Sequence, residues 1–325
     1  MNKLAKTKRK ILVLGFLNRN KSYLCASKAD LYAMEDNCGN LIDLRQVFEA
    51  KAPKLMKRMP GFVFRRVQKL LHEDDINRIL SQYGHLQGVD FVQAVIKDFN
   101  LNVLVRGADH LSASPRVLVA SNHPLGGLDG IALIGTVGET YRDVVTPVND
   151  FLMFVKNLQP IFIPVNKVGK GVANREENLR LFNETFASDR AICYFPFGLC
   201  SRKVKGGKIM DLDWKKTFLS KAKEYHRDIL PVHIDGHNTK FFYNLARLRK
   251  QLRIKVNIEM AFLVDEFFKQ RDKTLSITFG KPIPYLTFDS RHTDAEWAER
   301  LRRFSYNLAN DPDLVFNPEA DYQIP

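Results

Sequence analysis

The chain has 325 residues, 45% of them hydrophobic and 26% charged, and a formal net charge of +14. This composition excludes a disordered protein and suffices for one large domain, or a core domain with a smaller one attached. Four cysteines (Cys25, Cys38, Cys193, Cys200) show neither CxxC pairing nor a His/Cys spacing suited to zinc, which points to a reduced compartment and to no bound metal.

Residues 1–40 are basic and irregular and read as a separate segment. The positive charge is concentrated early: residues 1–72 hold 16 Lys/Arg against 5 Asp/Glu. Such an excess calls for an anionic partner, either nucleic acid or an anionic membrane surface. The run "ILVLGFL" at 11–17 falls well short of the ~20 residues needed to cross a bilayer. The charged "NRNK" follows it at once without a small-residue cleavage site, so export is not expected and a peripheral position on a cytoplasmic leaflet stays open.

Residues 41–100 read as helical. "LRQVFEAKA", "FVFRRVQKLL", "DDINRILSQYG" and "GVDFVQAVIKDFN" each space apolar residues three and four apart, and Asp74 and Asp75 supply an N-cap signal for the third. Within this region "PKLMKRMPGFVFRRVQKLL" (53–71) mixes Phe62, Val63, Phe64, Val67, Leu70 and Leu71 with Lys54, Lys57, Arg58, Arg65, Arg66 and Lys69. Two readings fit equally: a helix lying in a bilayer interface, or a helix packing on the α/β core with its cations in water.

From residue 101 to 325 the texture is α/β. The runs "NVLVRG", "RVLVAS", "DVVTPV", "IFIPV", "AICYFP", "ILPVHI" and "LSITFG" alternate with amphipathic segments such as "NREENLRLFNETFA" and "WKKTFLSKAKEYH". Continuous apolar strands separated by helices predict a mostly parallel sheet flanked by helices. Ligand sites in such sheets lie at the carboxyl ends of strands. "SNHPLGGLDG" (121–130) and "FGLCSRK" (197–203) each follow a strand and occupy that place.

His123 and Asp129 are six positions apart, which on an unbroken α-helix would point them 240° apart. Pro124 disfavours a helical conformation at His123, and Gly126-Gly127 permit a sharp turn. A strand, a glycine turn and a helix starting near Leu128 would therefore fold the Asp129 carboxylate back onto the imidazole. That pair suits general-base chemistry, the carboxylate fixing the tautomer while the other ring nitrogen takes a proton. A turn followed by a helix cap accounts for the same residues without chemistry.

"NHPLGGLD" resembles the first block of the glycerolipid acyltransferases, the lysophospholipid acyltransferase-like superfamily, whose signature is Asn-His, four residues, Asp. "IFIPVNKVGK" (161–170), "FPFGLCSR" (195–202) and "ILPVHI" (229–234) resemble its later blocks in order. "SNHPLGGLDGIALI" and "RDILPVHIDGHNTKFFYNLARLRK" are most similar to a hemolysin-like bacterial branch that includes ornithine- and glycine-lipid acyltransferases. The departures are specific. Five residues, not four, separate His123 from Asp129, Phe197 stands at the family's glutamate, and Leu199-Cys200 stand at its Thr-Arg. In the family this third block holds the phosphate of the acceptor, so its alteration points to an acceptor without glycerol phosphate, or to one whose phosphate is held differently.

The resemblance implies an O-acyltransferase moving a fatty acyl chain from acyl carrier protein or coenzyme A to the hydroxyl of a membrane lysolipid, with no cofactor. It makes His123 the base and Asp129 its orienter. Asn122, Gly198, Ser201, Arg202, Lys203 and Lys167 are the candidates for substrate binding, the arginine fork suiting a carboxylate or phosphate. A glycine- or ornithine-type lysolipid is the favoured acceptor and a lysophospholipid the alternative. The expected location is peripheral, on the cytoplasmic face of the inner membrane. Of the other histidines, His233 alternates with Val232 and Ile234 and is expected to be a hydrogen-bonded core residue, while His237 lies in a turn. The alternatives of another class are a basic nucleic-acid-binding protein and a non-enzymatic membrane-active one; the sequence shows no nucleic-acid-binding module, so no nucleic acid partner is expected.

Overall fold

The computed structural model describes residues 41–51, 53–114, 116–149, 152–153, 155–165, 172–204, 206–254 and 258–325. The elements in chain order begin with α1 (Leu44–Lys51), α2 (Pro53–Arg58), α3 (Gly61–Leu70), α4 (Glu73–Tyr83) and α5 (Gly88–Asp98). Then come β1 (Asn102–Arg106), β2 (Val117–Ser121), α6 (Leu128–Tyr141), β3 (Val144–Val148), β4 (Phe162–Pro164), α7 (Val172–Ala187) and β5 (Ala191–Tyr194). The remainder is β6 (Arg202–Lys203), β7 (Ile209–Met210), α8 (Thr217–Glu224), β8 (Asp228–Asp235), α9 (Lys240–Gln251), α10 (Leu263–Phe268), β9 (Thr274–Phe279) and α11 (Asp294–Asn307). The described residues within 1–84, 167–175 and 239–269 form one compact unit, and those within 85–166, 176–238 and 270–325 the other.

The larger unit is a seven-stranded sheet in the order β1-β9-β8-β2-β5-β3-β4. The pairs β1–β9, β2–β8, β2–β5, β3–β5 and β3–β4 are parallel, and β8–β9 is antiparallel. Every residue of β2 is buried, as expected of a central strand covered on both faces. Leu118, Ala120, Ile192, Phe186, Phe218, Trp297, Leu301 and Phe304 form one continuous core against the sheet. Elsewhere α5 packs against α6 at close range: a Cβ on Gly138 would sit 2.5 Å from Val89, and one on Gly135 2.5 Å from the end of Ile96. The two glycines thus let the helix backbones approach more closely than side chains would allow.

Arg227 is fully buried just before β8. Its guanidinium donates to the carbonyls of Phe186 (2.8 Å), Arg190 (2.8 Å), Thr185 (3.3 Å) and Ser188, satisfying the carbonyls at the end of α7 that have no helical partner. Burial, followed by the neighbouring charge of Arg116, pulls its pKa down to about 10.

The smaller unit is helical in its described residues. Met59, Val63, Phe64 and Val67 cluster, with Leu44, Phe48, Met56 and Leu71 packed on them. The apolar side of residues 53–71 is therefore used largely inside the helical unit itself, where Val63, Phe64 and Val67 are buried, and not on the α/β core as one reading expected. Lys54, Lys57, Arg58, Arg65, Arg66 and Lys69 are exposed, as is Phe62. Asp74 and Asp75 do not cap α4 as their order suggested. His72 takes the cap position in a left-handed conformation, and Glu73, Asp74 and Asp75 fill the first turn, where carboxylates meet the positive helix end. The His72 ring lies between Asp75 (2.8 Å) and Asp265 (3.2 Å) and stacks on Phe268. Residues 1–40, with Cys25 and Cys38, lie outside the described residues.

Candidate active site

The chain leaves the sheet at the carboxyl end of β2. Asn122, buried, meets the backbone of Ile234 on β8 through both ends of its amide: the Ile234 N–H donates to Oδ1 at 2.7 Å, and Nδ2 donates to the Ile234 carbonyl at 2.8 Å. The side chain takes the place of a further ladder step. Asn122 thus holds the end of the strand by side-chain bonds to backbone. The turn follows, with Gly126 at φ 80°, and α6 opens at Leu128.

Asp129 sits in the first turn of α6 with no exposure to solvent. Its Oδ1 accepts from the N–H groups of Gly127 (2.9 Å) and Gly130 (3.0 Å). Its Oδ2 accepts from Leu125 N–H (2.9 Å), from Gly126 N–H (3.4 Å) and from His123 Nδ1 at 2.9 Å. The turn therefore folds around the carboxylate, and the inserted fifth residue between His123 and Asp129 is absorbed by backbone N–H groups aimed at it. Burial alone would raise the Asp129 pKa; the His123 charge and hydrogen bond, with the Leu125 and Gly127 amides, outweigh it and hold the carboxyl below its ordinary value.

A carboxylate can only accept, so the His123 Nδ1 carries the proton and Nε2 is left as the basic nitrogen. The His123 side chain is 16% exposed, and its ring stacks on Phe195 with centroids 4.1 Å apart. One face of the imidazole is thus packed and one edge pinned. Burial pushes its pKa down, but the charge and hydrogen bond of Asp129, helped by the charge of Asp211, reverse that and leave it raised. A base tuned upward from 6.5 is well matched to work near neutral pH.

The third block lies beside this pair, after β5. Phe195 is the stacking partner just described, and Gly198 turns the chain at φ 68°. Phe197, at the family's glutamate, is buried in the apolar core, so this position offers no carboxylate to the site. Ser201 is buried, its N–H donating to the His123 carbonyl (2.8 Å) and its hydroxyl to Asp211 Oδ1 (2.6 Å). Like Asn122, it holds the loop through its hydrogen bonds. Arg202 and Lys203 form β6, paired antiparallel with Met210 and Ile209 of β7; Arg202 is buried and Lys203 exposed. Lys167 lies outside the described residues.

Sequence reasoning missed Asp211. It is buried after β7, and its Oδ1 accepts from the His123 N–H at 3.2 Å as well as from Ser201, while Oδ2 accepts from Trp214 Nε1 at 3.0 Å. Its own N–H donates to Tyr306 Oη (2.8 Å) and its carbonyl accepts from Arg302 Nη1 (3.0 Å), both on α11. The local signal was only an aspartate three residues before a tryptophan. His233 also departs from expectation: it is buried, but its Nδ1 has no hydrogen-bond partner, and burial takes its pKa down to about 4. Among the described residues no group of three or more His, Cys, Asp or Glu is arranged to hold a metal.

A His-carboxylate pair thus stands at the carboxyl end of a central strand of an α/β sheet, with one ring nitrogen open, an arrangement suited to taking a proton from a hydroxyl. Residues 46–314 match the acyltransferase family model, and the chain belongs to that family. Two curated relatives are lyso-glycine lipid O-acyltransferases. The protein from Bacteroides thetaiotaomicron is 43% identical over 276 residues, which is 85% of this chain and 100% of that one. The protein from Phocaeicola vulgatus is 42% identical over 276 residues, 85% of this chain and 98% of that one. Among solved structures, the 1-acyl-sn-glycerophosphate acyltransferase PlsC from Thermotoga maritima aligns with a TM-score of 0.41 at 15% identity, covering 77% of this chain and 93% of that one. The chain is thus an acyltransferase.

Proposed function

We propose that this acyltransferase esterifies the free hydroxyl of a lyso-glycine lipid with a fatty acyl group taken from an acyl thioester, on acyl carrier protein or coenzyme A. The observation that carries the mechanism is the His123–Asp129 pair with Nε2 open. The acceptor follows the names of the relatives, which match over almost their whole length. Nε2 of His123 removes the proton of the acceptor hydroxyl as its oxygen attacks the thioester carbonyl carbon. The tetrahedral intermediate collapses with loss of the thiolate, which takes the proton back from the imidazolium; ester and thiol are the products. Asp129 keeps the proton on Nδ1 throughout and steadies the imidazolium. No metal or cofactor enters this scheme, because the thioester is already activated.

Arg202 and Lys203 are our candidates for binding the anionic head group of the acceptor, here a glycine carboxylate, to which an arginine fork donates in bidentate fashion. Phe197 supports the preference over a lysophosphatidate acceptor, since the family's phosphate-holding block has lost its glutamate to the core. No helix among the described residues is long and apolar enough to cross a membrane. The exposed cations of α2 and α3 suit peripheral attachment to an anionic leaflet, on the cytoplasmic face of the inner membrane. The test supplies purified protein with an acyl thioester and either lyso-glycine lipid or lysophosphatidate in mixed micelles, with products resolved by mass. Diacylated glycine lipid formed by the parent and not by His123→Ala is expected; equal turnover in His123→Ala, or turnover of lysophosphatidate alone, would overturn the reading.

A further inference from the structure

The His123–Asp129 pair accounts for the edge of the imidazole but not for the peptide that carries it. That peptide is gripped on both sides by another part of the chain. The His123 N–H donates to Asp211 Oδ1 at 3.2 Å, and the His123 carbonyl accepts from Ser201 N–H at 2.8 Å. The Ser201 hydroxyl then donates to the same Asp211 oxygen at 2.6 Å, closing a ring of three bonds around one residue. Asp211 is itself fixed from three directions: Trp214 Nε1 on its second oxygen, Tyr306 Oη on its N–H and Arg302 on its carbonyl. Its side chain is therefore held by indole, hydroxyl and backbone donors, and its backbone by α11.

A hydrogen-bond clamp needs only an acceptor, and a neutral amide or hydroxyl would be the less costly choice in a buried place. The three groups that donate to the Asp211 carboxylate are all neutral. Burial accordingly raises its pKa, with the Ser201, Trp214 and His123 hydrogen bonds only partly offsetting that. A charge kept at this cost next to the His123 peptide also favours the imidazolium, which is the state the base reaches at the moment of attack.

We propose that Asp211 is a positioning residue of the acyltransferase site: by gripping the His123 peptide together with Ser201, it sets the direction in which the imidazole faces the acceptor hydroxyl and adds a second negative charge behind the developing imidazolium. The inference rests on His123 being the base. It joins the β6–β7 hairpin, where the head-group candidates lie, to the catalytic turn, so that acceptor recognition and base placement share one hydrogen-bond network.

The experiment compares full-length parent, Asp211→Asn, Trp214→Phe and His123→Ala in the lyso-glycine lipid assay, with melting curves for each. Asp211→Asn is expected to lower kcat by about 10- to 100-fold, the loss that a misplaced group of this kind brings. KM for donor and acceptor should stay within about twofold, since neither substrate touches Asp211. The acidic limb of the kcat/KM profile should move to lower pH, because removing the anion lowers the His123 pKa. A merely structural aspartate would cut activity in step with the folded fraction and leave the limb in place; that result, or an unaltered kcat, overturns the proposal. Should Asp211→Asn fail to fold, Trp214→Phe removes one donor and makes the carboxyl harder to ionise. It is then expected to shift the same limb in the same direction, and an unshifted limb in that variant overturns the proposal equally. Full activity in His123→Ala would instead remove the base reading itself, whereas an inactive His123→Ala beside a parent-like Asp211→Asn removes only the role of Asp211.

Discussion

Asp129→Asn changes one atom and should separate catalysis from folding. The carboxylate divides five donors between its oxygens: Gly127 and Gly130 on Oδ1; Leu125, Gly126 and His123 on Oδ2. An asparagine supplies one oxygen and one NH2. Turned so that NH2 replaces Oδ1, it confronts two buried backbone N–H groups, each left unsatisfied at about 1–3 kcal/mol. Turned the other way, it leaves the closely bound Leu125 N–H unsatisfied and forces His123 to accept at Nδ1. The second arrangement is cheaper, costing about 1–3 kcal/mol for the one close backbone donor. It puts the imidazole proton on Nε2, so the nitrogen facing the acceptor is no longer a base. The variant should fold with lowered stability and lose at least 10²-fold in kcat, within the ~10²–10⁴ range of general-base contributions. Thiol release from the acyl donor in the presence of lyso-glycine lipid gives the rate, and chemical denaturation gives the stability. A folded variant with kcat within about threefold of the parent would show that the imidazole tautomer does not matter and would refute the base assignment.

The pair also makes a signed prediction in pH. The raised His123 pKa gives stability that is complete below 6.5 and fades as pH rises through the folded-state value; the lowered Asp129 pKa gives stability complete above 3.8 and lost as pH falls through its own. The stability difference between parent and His123→Gln should therefore be largest between these values and shrink above them, which denaturation curves at several pH values will check. Arg227→Leu strips four carbonyls around the end of α7 of a charged donor; with each such bond contributing about 1.5–3 kcal/mol and water recovering part, a loss of about 3 kcal/mol or more in urea unfolding is expected. Gly138→Ala should cost about 1–3 kcal/mol by overpacking against the short side chain of Val89, and Gly135→Ala less, because the end of Ile96 can rotate away. Phe197→Glu restores the family residue but places a carboxylate among Phe, Trp and Leu side chains; it should destabilise the fold without creating activity on lysophosphatidate, as mass analysis of the products would reveal.

The strands of the main sheet were legible because buried parallel strands are written as short continuous apolar runs, and the His123–Asp129 geometry was legible because Pro124 and Gly126-Gly127 leave the chain few ways to turn. Other features depend on distant partners. The 3.6-residue period of "GVDFVQAVIKDFN" gives a helix, but only Gly135 and Gly138, more than forty residues on, show that it packs on α6. The antiparallel pairing of β8 with β9 is invisible in apolar runs that look like those of parallel neighbours. The expected N-cap at Asp74 failed because His72 accepts a left-handed conformation and is rewarded by Asp75 and Asp265, the latter far away in sequence. Asn122 and Ser201 stand in the family's motifs and so invite a substrate role. Their orientation toward Ile234 and Asp211 is a matter of packing that spacing cannot express. Asp211 lay in no motif at all.

Two buried carboxylates flank His123, and their surroundings push them in opposite directions. Asp129 collects four backbone N–H groups at the positive end of α6 as well as the imidazole itself, and is held ionised. Asp211 collects three neutral donors and pays for burial with a raised pKa. When neighbouring acids diverge in this way, they serve different tasks. Asp129, held below its ordinary value, suits the task of fixing the tautomer. Asp211 is pushed up by burial and held against it by the Ser201, Trp214 and His123 donors. Ser201 directly precedes Arg202, so the hydroxyl that holds the Asp211 carboxylate is tied to the β6–β7 hairpin, whereas the backbone donors to Asp129 lie in the turn and first residues of α6.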